Sequence, residues 1–397
     1  DMLELGERLF AQGLAGSLFH EAWRLVKAHQ RRGHTVVIAT SATRLQVQPL
    51  ARELEVEHVL CTELEQENGV LTGRIEGRPL WGAGKIAAVR AFAAEHAIDL
   101  DQSHAYANGN EDVPLLESVG TPHPVNPQPE LAAVAEQRNW PSLRFRTPNH
   151  QLDPTPVVRT AAMYGSLFAA AGAGIAFGVL RGDRRLGVDL ATSLFGDVAG
   201  VLGDLQLEVI GEQHLWSHRP AVFFINHQST LIDFVVTSKL LRRGFTAVAK
   251  KEVQGTPLIG QLFSMAGVAF LDRSNRSSAI ESLGSAVEKL NEGTSVVMAP
   301  EGTRSLTPRI GRFKKGGFHV AAQAGVPIVP IVIRNAGEIM WRGAKTARCG
   351  TIEVVVHPPI STEGWTAKDI DMAARNVRQL YVDTLDEWPS AEPEVNG

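Results

Sequence analysis

Residues 221–233 read Ala221-Val222-Phe223-Phe224-Ile225-Asn226-His227-Gln228-Ser229-Thr230-Leu231-Ile232-Asp233. The first five form an apolar, partly β-branched and aromatic run of the kind found in strands buried on both faces. A histidine directly after such a strand can reach a cleft beyond the sheet edge. A nearby carboxylate fixes an imidazole's tautomer and stabilises the imidazolium formed when it takes a proton. Asp233 is the only carboxylate in the stretch. The same residues also fit an Asn-His turn before a helix with an ordinary carboxylate at its N-terminus. The stretch alone decides the strand and leaves the chemistry open.

Outward from it the pattern repeats. Ser295 to Ala299, Ile328 to Ile333 and Ile352 to Val356 are further strand-like runs. Earlier in the chain, residues 1–31 carry helical periodicity, and the apolar run Thr35 to Ala39 follows. A helix is then expected over Arg44 to Leu54, and a strand at Val59-Leu60-Cys61. Asn68-Gly69 signals a tight turn. A helix is expected over Lys85 to Ala97 and a strand over Ser103 to Ala107. Alternation of this kind predicts two α/β domains. At 397 residues, the chain exceeds what one hydrophobic core usually serves. Its opening, Asp1-Met2-Leu3-Glu4-Leu5-Gly6, reads as the inside of a helix, and an N-terminal segment is expected to be missing.

Residues 121–156 are proline-rich, and 146–156 is the expected linker. Thr160 to Leu180 is 21 residues without a charge, long enough to cross a bilayer. A buried core helix would look the same. A second apolar stretch, Val188 to Leu202, is interrupted by Asp189 and Asp197. Arg181, Arg184 and Arg185 would hold the intervening end on the cytoplasmic side. The expectation is an apolar helical hairpin dipping into one leaflet, with the protein on the cytoplasmic face. The expected divisions are 1–145, a linker and hairpin over 146–205, a second domain over 206–385 and a flexible tail over 386–397.

Charge and cysteine content narrow the classes. The formal net charge is −4, which argues against a general nucleic-acid binder. Residues 1–150 carry 14 basic and 19 acidic side chains, the remainder 25 and 24. Cys61 and Cys349 are the only cysteines, so neither a disulfide framework nor a zinc cluster is legible, and a reducing compartment fits best.

A second motif, Ala299-Pro300-Glu301-Gly302-Thr303-Arg304-Ser305, also follows a strand. Gly302 permits a tight turn, and Arg304 offers a planar fork of donors suited to phosphate. Arg309, Arg312, Lys314 and Lys315 follow; standing alone, the segment would equally suit a solvated basic loop. Two more blocks complete an ordered set. One runs from Lys250-Lys251-Glu252 through Pro257, Gly260 and Gly267 to Phe270-Leu271-Asp272-Arg273. The other is Val326-Pro327-Ile328-Val329-Pro330.

Together the four blocks resemble the 1-acylglycerol-3-phosphate acyltransferase family, within the glycerolipid acyltransferase superfamily, over roughly 205–365. The resemblance implies that His227 is the general base and that Asp233 orients it. Glu301, Gly302, Thr303 and Arg304 would hold the acceptor's phosphate, with Arg273 and Lys251 adding positive charge. Val326, Pro327 and Pro330 would shape the acyl-donor side, although an apolar strand reads equally well as core. It further implies a lysophospholipid acceptor, acyl-CoA or an acyl carrier protein as donor, a membrane surface as partner, and no metal or other cofactor for acyl transfer. The family usually places four residues between the histidine and the aspartate, whereas five stand here.

Residues 1–145 resemble the haloacid dehalogenase-like hydrolases, in the branch near phosphoserine phosphatase. Thr40 ends a strand where that family has a phosphoryl-binding Ser or Thr. Lys85 matches a family lysine, and Tyr106 to Asp112 matches its magnesium-binding motif. No Asp-x-Asp nucleophile motif precedes Thr40, and Asn108 stands where aspartate is common. A neutral amide supplies no negative charge for Mg²⁺. Three functions are therefore in play: acyl transfer, Mg²⁺-dependent phosphomonoester hydrolysis by the first domain, and a first domain that only docks or regulates.

Overall fold

The computed structural model describes residues 2–145, 154–271 and 276–389. The chain divides into two compact units, Asp1–Gln151 and Leu152–Gly397.

The first unit runs α1 (Met2–Gln12), α2 (His20–Arg31), β1 (Val37–Thr43), α3 (Arg44–Leu54), β2 (His58–Glu67), β3 (Val70–Glu76), α4 (Ala83–Glu95), β4 (His104–Ala107), α5 (Val113–Leu116), β5 (Thr121–Pro124) and α6 (Pro129–Gln137). β1 and β2 pair in parallel, and β2 and β3 form an antiparallel hairpin. Asn68 and Gly69 both take positive φ in its turn, which an Asn-Gly pair tolerates at low cost. β4 and β5 form a separate parallel pair. β5 lies in the proline-rich stretch 121–156, ahead of the expected linker. Pro122 and Pro124 are tolerated because the amides of Thr121 and Val125 face β4, so the missing proline N–H groups break no bond of that ladder.

Four histidines gather in this unit. His29 Nδ1 lies 2.8 Å from His34 Nδ1, and His29 Nε2 lies 2.9 Å from the Tyr106 hydroxyl. His104 Nδ1 is 3.2 Å from His123 Nε2. Burial pushes His29 below its ordinary value, and His104, His34, Arg32 and His123 add like charge; burial and His104 do the same to His123. The unfolded chain then binds more protons than the folded one below about pH 6.5. The stability these groups contribute is fully present above that pH and is lost as pH falls. Hydrogen exchange over residues 20–34 and 104–123, corrected for intrinsic rates, should therefore speed up between pH 7.5 and 5.5 while β-strand residues 222–225 hold. Equal protection at both pH values would contradict this.

The second unit opens with α7 (Thr155–Arg181) and α8 (Arg184–Leu202), then runs β6 (Leu205–Ile210), α9 (His214–Ser217), β7 (Val222–Ile225), α10 (Thr230–Leu241), β8 (Phe245–Lys250), α11 (Lys251–Gln254), α12 (Ile259–Met265), β9 (Ala269–Leu271), α13 (Arg276–Asn291), β10 (Ser295–Met298), α14 (Gly316–Ala324), β11 (Ile328–Arg334), α15 (Ala336–Ile339), β12 (Gly350–Val356) and α16 (Ala367–Asp386). Its seven strands lie in the order β6-β12-β11-β7-β10-β8-β9. All neighbours are parallel except β11 and β12. β7 alternates its faces: Phe223 and Ile225 join the core under α8 and α10, and Val222 and Phe224 join the core under α13, α14 and α16. Both faces are covered, which is why β7, β10 and β11 read as continuous apolar runs.

This topology places the site. β7, β10, β8 and β9 are mutually parallel neighbours, so their carboxyl ends share one edge of the sheet. The connection leaving β7 leads to β8 on one side, and that leaving β10 leads to β11 on the other. Such a switch in direction opens a crevice at the strand ends. His227 and Glu301, in the loops after β7 and β10, are 74 residues apart in sequence and hydrogen-bonded in space.

α7 and α8 form the expected helical hairpin. A Cβ on Gly187 would stand 2.5 Å from the Gly174 carbonyl oxygen, so the two backbones touch directly. Gly182 turns the chain at positive φ, and Asp183 caps α8 by accepting from the Arg185 and Leu186 amides. α8 also rests on α10, where a Cβ on Gly196 would meet the Lys239 amide. α7 is long and apolar enough to cross a membrane, and only 28% of its most apolar window is buried. Val157, Val158, Phe168, Ile175, Val179 and Leu180 remain exposed along it.

Candidate active site

β7 ends in a side chain that imitates backbone. The Asn226 Oδ1 accepts from the Ile333 amide at 2.7 Å, and its Nδ2 donates to the Ile333 carbonyl at 2.8 Å. This pair extends the β7–β11 ladder by one position and lets the main chain leave the sheet at His227.

His227 Nδ1 lies 2.7 Å from Asp233 Oδ2. The histidine side chain is 27% exposed and the aspartate 2%. The extra residue between them is absorbed in the turn before α10. Ser229 is the N-cap, and the Gln228 and Ser229 amides both donate to Asp233 Oδ2 at 3.0 Å. The loop thus curls around one carboxylate oxygen instead of continuing as helix, so the spacing does not rotate Asp233 away. Burial pushes the Asp233 carboxyl up from its ordinary value, and His227 and the two amides pull it back. A carboxylate accepting at Nδ1 requires the proton there, which leaves Nε2 with its lone pair free to accept one. Among the described residues Nε2 has no hydrogen-bond partner.

Glu301 faces inward. Its Oε1 accepts from the His227 amide at 2.9 Å, and its Oε2 from the Ser305 hydroxyl at 2.8 Å and the Gly311 amide at 2.9 Å. It is buried, and that burial raises its carboxyl while the three donors offset the shift. The Ser305 amide donates to the His227 carbonyl at 2.8 Å, so the two motif loops are stitched together in both directions. Gly302 takes φ +72°, and any Cβ there would press on the Lys314 side chain at 3.0 Å. Thr303 is exposed and Arg304 half-buried. Burial and the neighbouring Arg342 lower the Arg304 guanidinium, while Asp233 and Tyr164 oppose that shift.

The remaining expected site residues divide. Lys251 is exposed at the start of α11, where β8 ends on the motif side of the sheet. Arg273 lies outside the described residues. Val326 and Pro330 are buried, Val326 in the core beside α14 and Pro330 opposite Phe224, and Pro327 is half-buried at the start of β11. The positions of Val326 and Pro330 are those of packing residues. Two features went unread in the sequence. One is the inward turn of Glu301. The other is Arg342, which meets Arg304 from a loop outside all four blocks. A cavity of about 280 Å³ also opens between α7, α8 and α12, lined by Leu167, Ile175, Phe195, Phe234, Phe263 and Met265 among others.

In the first unit, Lys85 and Asp112 form a buried pair with Nζ–Oδ1 at 2.5 Å. The Thr40 hydroxyl accepts from the Ala42 amide, and Asn108 is exposed. Among the described residues no group of three or more His, Cys, Asp and Glu is arranged to hold a metal ion. With Asp112 paired to Lys85 and Asn108 uncharged, the residues present do not fit a magnesium site.

Residues 206–334 match the acyltransferase family, and residues 3–117 match the haloacid dehalogenase-like hydrolases. The 1-acyl-sn-glycerol-3-phosphate acyltransferase of Saccharomyces cerevisiae is 35% identical over 211 residues, which are 52% of this chain and 69% of that protein. The enzyme of the same name from Limnanthes alba is 37% identical over 203 residues, 51% of this chain and 70% of that protein. The crystal structure of the 1-acyl-sn-glycerophosphate (LPA) acyltransferase from Thermotoga maritima shares the fold with a TM-score of 0.51 at 22% identity, covering 60% of this chain and 98% of that one. The chain, with a haloacid dehalogenase-like unit at its N-terminal end, therefore belongs to the acyltransferase family that includes the 1-acyl-sn-glycerol-3-phosphate acyltransferases.

Proposed function

We propose that the second unit moves a fatty acyl group from a thioester, acyl-CoA or acyl-loaded carrier protein, to the free hydroxyl of lysophosphatidate, giving phosphatidate. The observation that carries this reading is the His227–Asp233 pair at 2.7 Å, open at Nε2 and beside the cationic Arg304. Nε2 takes the acceptor's hydroxyl proton as the oxygen attacks the thioester carbon. The tetrahedral intermediate collapses with cleavage of the carbon–sulfur bond, and the departing thiolate takes the proton from the imidazolium. Asp233 stabilises that imidazolium and holds the tautomer. No acyl-enzyme forms.

Arg304, with the Gly302-Thr303 backbone and with Lys251 and Arg273, holds the acceptor's phosphate. Glu301 serves it indirectly, by fixing the loop. The apolar cavity beside Phe234 accommodates acyl chain. The exposed apolar face of the α7–α8 hairpin dips into one leaflet, with the protein on the cytoplasmic face. The first unit docks or regulates, since its Asp112 is held by Lys85.

The test is the purified 397-residue chain in phospholipid vesicles, offered acyl-CoA or acyl-loaded carrier protein with lysophosphatidate or glycerol 3-phosphate. Phosphatidate formed from lysophosphatidate is the expected product. Acylation of glycerol 3-phosphate alone would overturn the acceptor assignment.

A further inference from the structure

Arg304 and Arg342 lie 38 residues apart and hold each other reciprocally. The Arg304 Nη1 donates to the Arg342 carbonyl at 3.0 Å, and the Arg342 Nη1 donates to the Arg304 carbonyl at 2.9 Å. Two guanidinium groups are thereby kept close enough for Arg342 to lower the Arg304 guanidinium. Among the described residues neither forms an ion pair with a carboxylate. Holding like charges together costs free energy unless an anion joins them. The loop carrying Arg342 is also built into place. The Gly337 amide donates to Gln228 Oε1 at 3.0 Å, beside His227, and Trp341 Nε1 donates to the Leu306 carbonyl at 3.0 Å. Gly343 has no side chain where a Cβ would strike the Trp341 ring at 2.2 Å.

We infer that Arg342 joins Arg304 in a two-guanidinium grip on a phosphate dianion, and that this grip selects a phosphomonoester acceptor. Both arginines keep donors beyond the ones that lock the loops, since each guanidinium carries five N–H groups. A phosphate could come from the acceptor or from coenzyme A. The acceptor is favoured because Ser305, next to Arg304 in the chain, donates its amide to the His227 carbonyl at 2.8 Å, and the acceptor's hydroxyl must meet that histidine. The inference rests on the acyl-transfer reading above.

The test uses R342Q and R342K variants of the 397-residue chain with acyl-CoA and either lysophosphatidate or lysophosphatidylcholine. Glutamine keeps an amide donor for the Arg304 carbonyl and removes the charge. R342Q should raise the KM for lysophosphatidate about 10- to 100-fold, the range of a lost charged hydrogen bond. kcat and the KM for acyl-CoA should hold, and the preference for lysophosphatidate over lysophosphatidylcholine should shrink. R342K should fall between R342Q and wild type. A raised KM for acyl-CoA alone, an equal loss with both acceptors, or unchanged kinetics would each overturn the inference. Wild-type chain inert toward lysophosphatidate would sink the acyl-transfer reading with it, whereas active wild type with unaffected R342Q sinks this inference alone.

Discussion

Replacing His227 by alanine is expected to cut acyl transfer by about 10²- to 10⁴-fold, the usual contribution of a positioned general base. The fold should survive. The His227 side chain is 27% exposed and makes one side-chain hydrogen bond, to Asp233. Its backbone contacts to Glu301 and Ser305 do not depend on the imidazole. Asp233 would still accept from the Gln228 and Ser229 amides. Steady-state rates alongside thermal unfolding of both proteins would separate the lost base from a lost fold. Comparable rates from H227A and wild type would remove His227 from the chemistry.

Glu301→Ala is expected to lower both stability and activity. Its carboxylate accepts from the His227 amide, the Ser305 hydroxyl and the Gly311 amide in a buried site. Each buried donor left without a partner costs about 1–3 kcal/mol, so the loop would rearrange. That loop sets the positions of both His227 and Arg304. A displacement of about 1 Å in such positioning groups costs on the order of 10²-fold in rate. Glu301→Gln should not rescue, because its NH₂ would face a donor at one of the two oxygen positions. Denaturant unfolding and acyl-transfer rates of both variants check this. If Glu301 instead touched the acceptor's phosphate directly, E301A would raise the KM for the acceptor with stability unchanged.

The core strands were legible because burial on both faces leaves an unbroken apolar run: Ala221 to Ile225, Ser295 to Ala299 and Ile328 to Ile333 coincide with β7, β10 and β11. Helix Arg44–Leu54 and the Asn68-Gly69 turn were equally plain. β5 was hidden by its prolines, whose cost depends on which amides face the neighbouring strand, which composition does not carry. The site was legible as a set of residue types and obscure in its contacts. Spacing could not show that Asp233 reaches His227, because the answer lies in how Gln228 and Ser229 turn their amides inward. Glu301 reads as one of the phosphate-holding residues, and only its three donors reveal a brace. Arg342 carries no local signal, since its meaning comes from a reciprocal contact across 38 residues.

His227 and Asp233 are expected to act as one base. A double-mutant cycle over H227A, D233N and the combined variant tests it, with kcat/KM for phosphatidate formation as the readout. Groups that act as a unit are strongly non-additive. With His227 gone, Asp233 has nothing left to orient, so the double variant should be no slower than H227A alone. Losses that multiply would show two independent contributions and contradict the account.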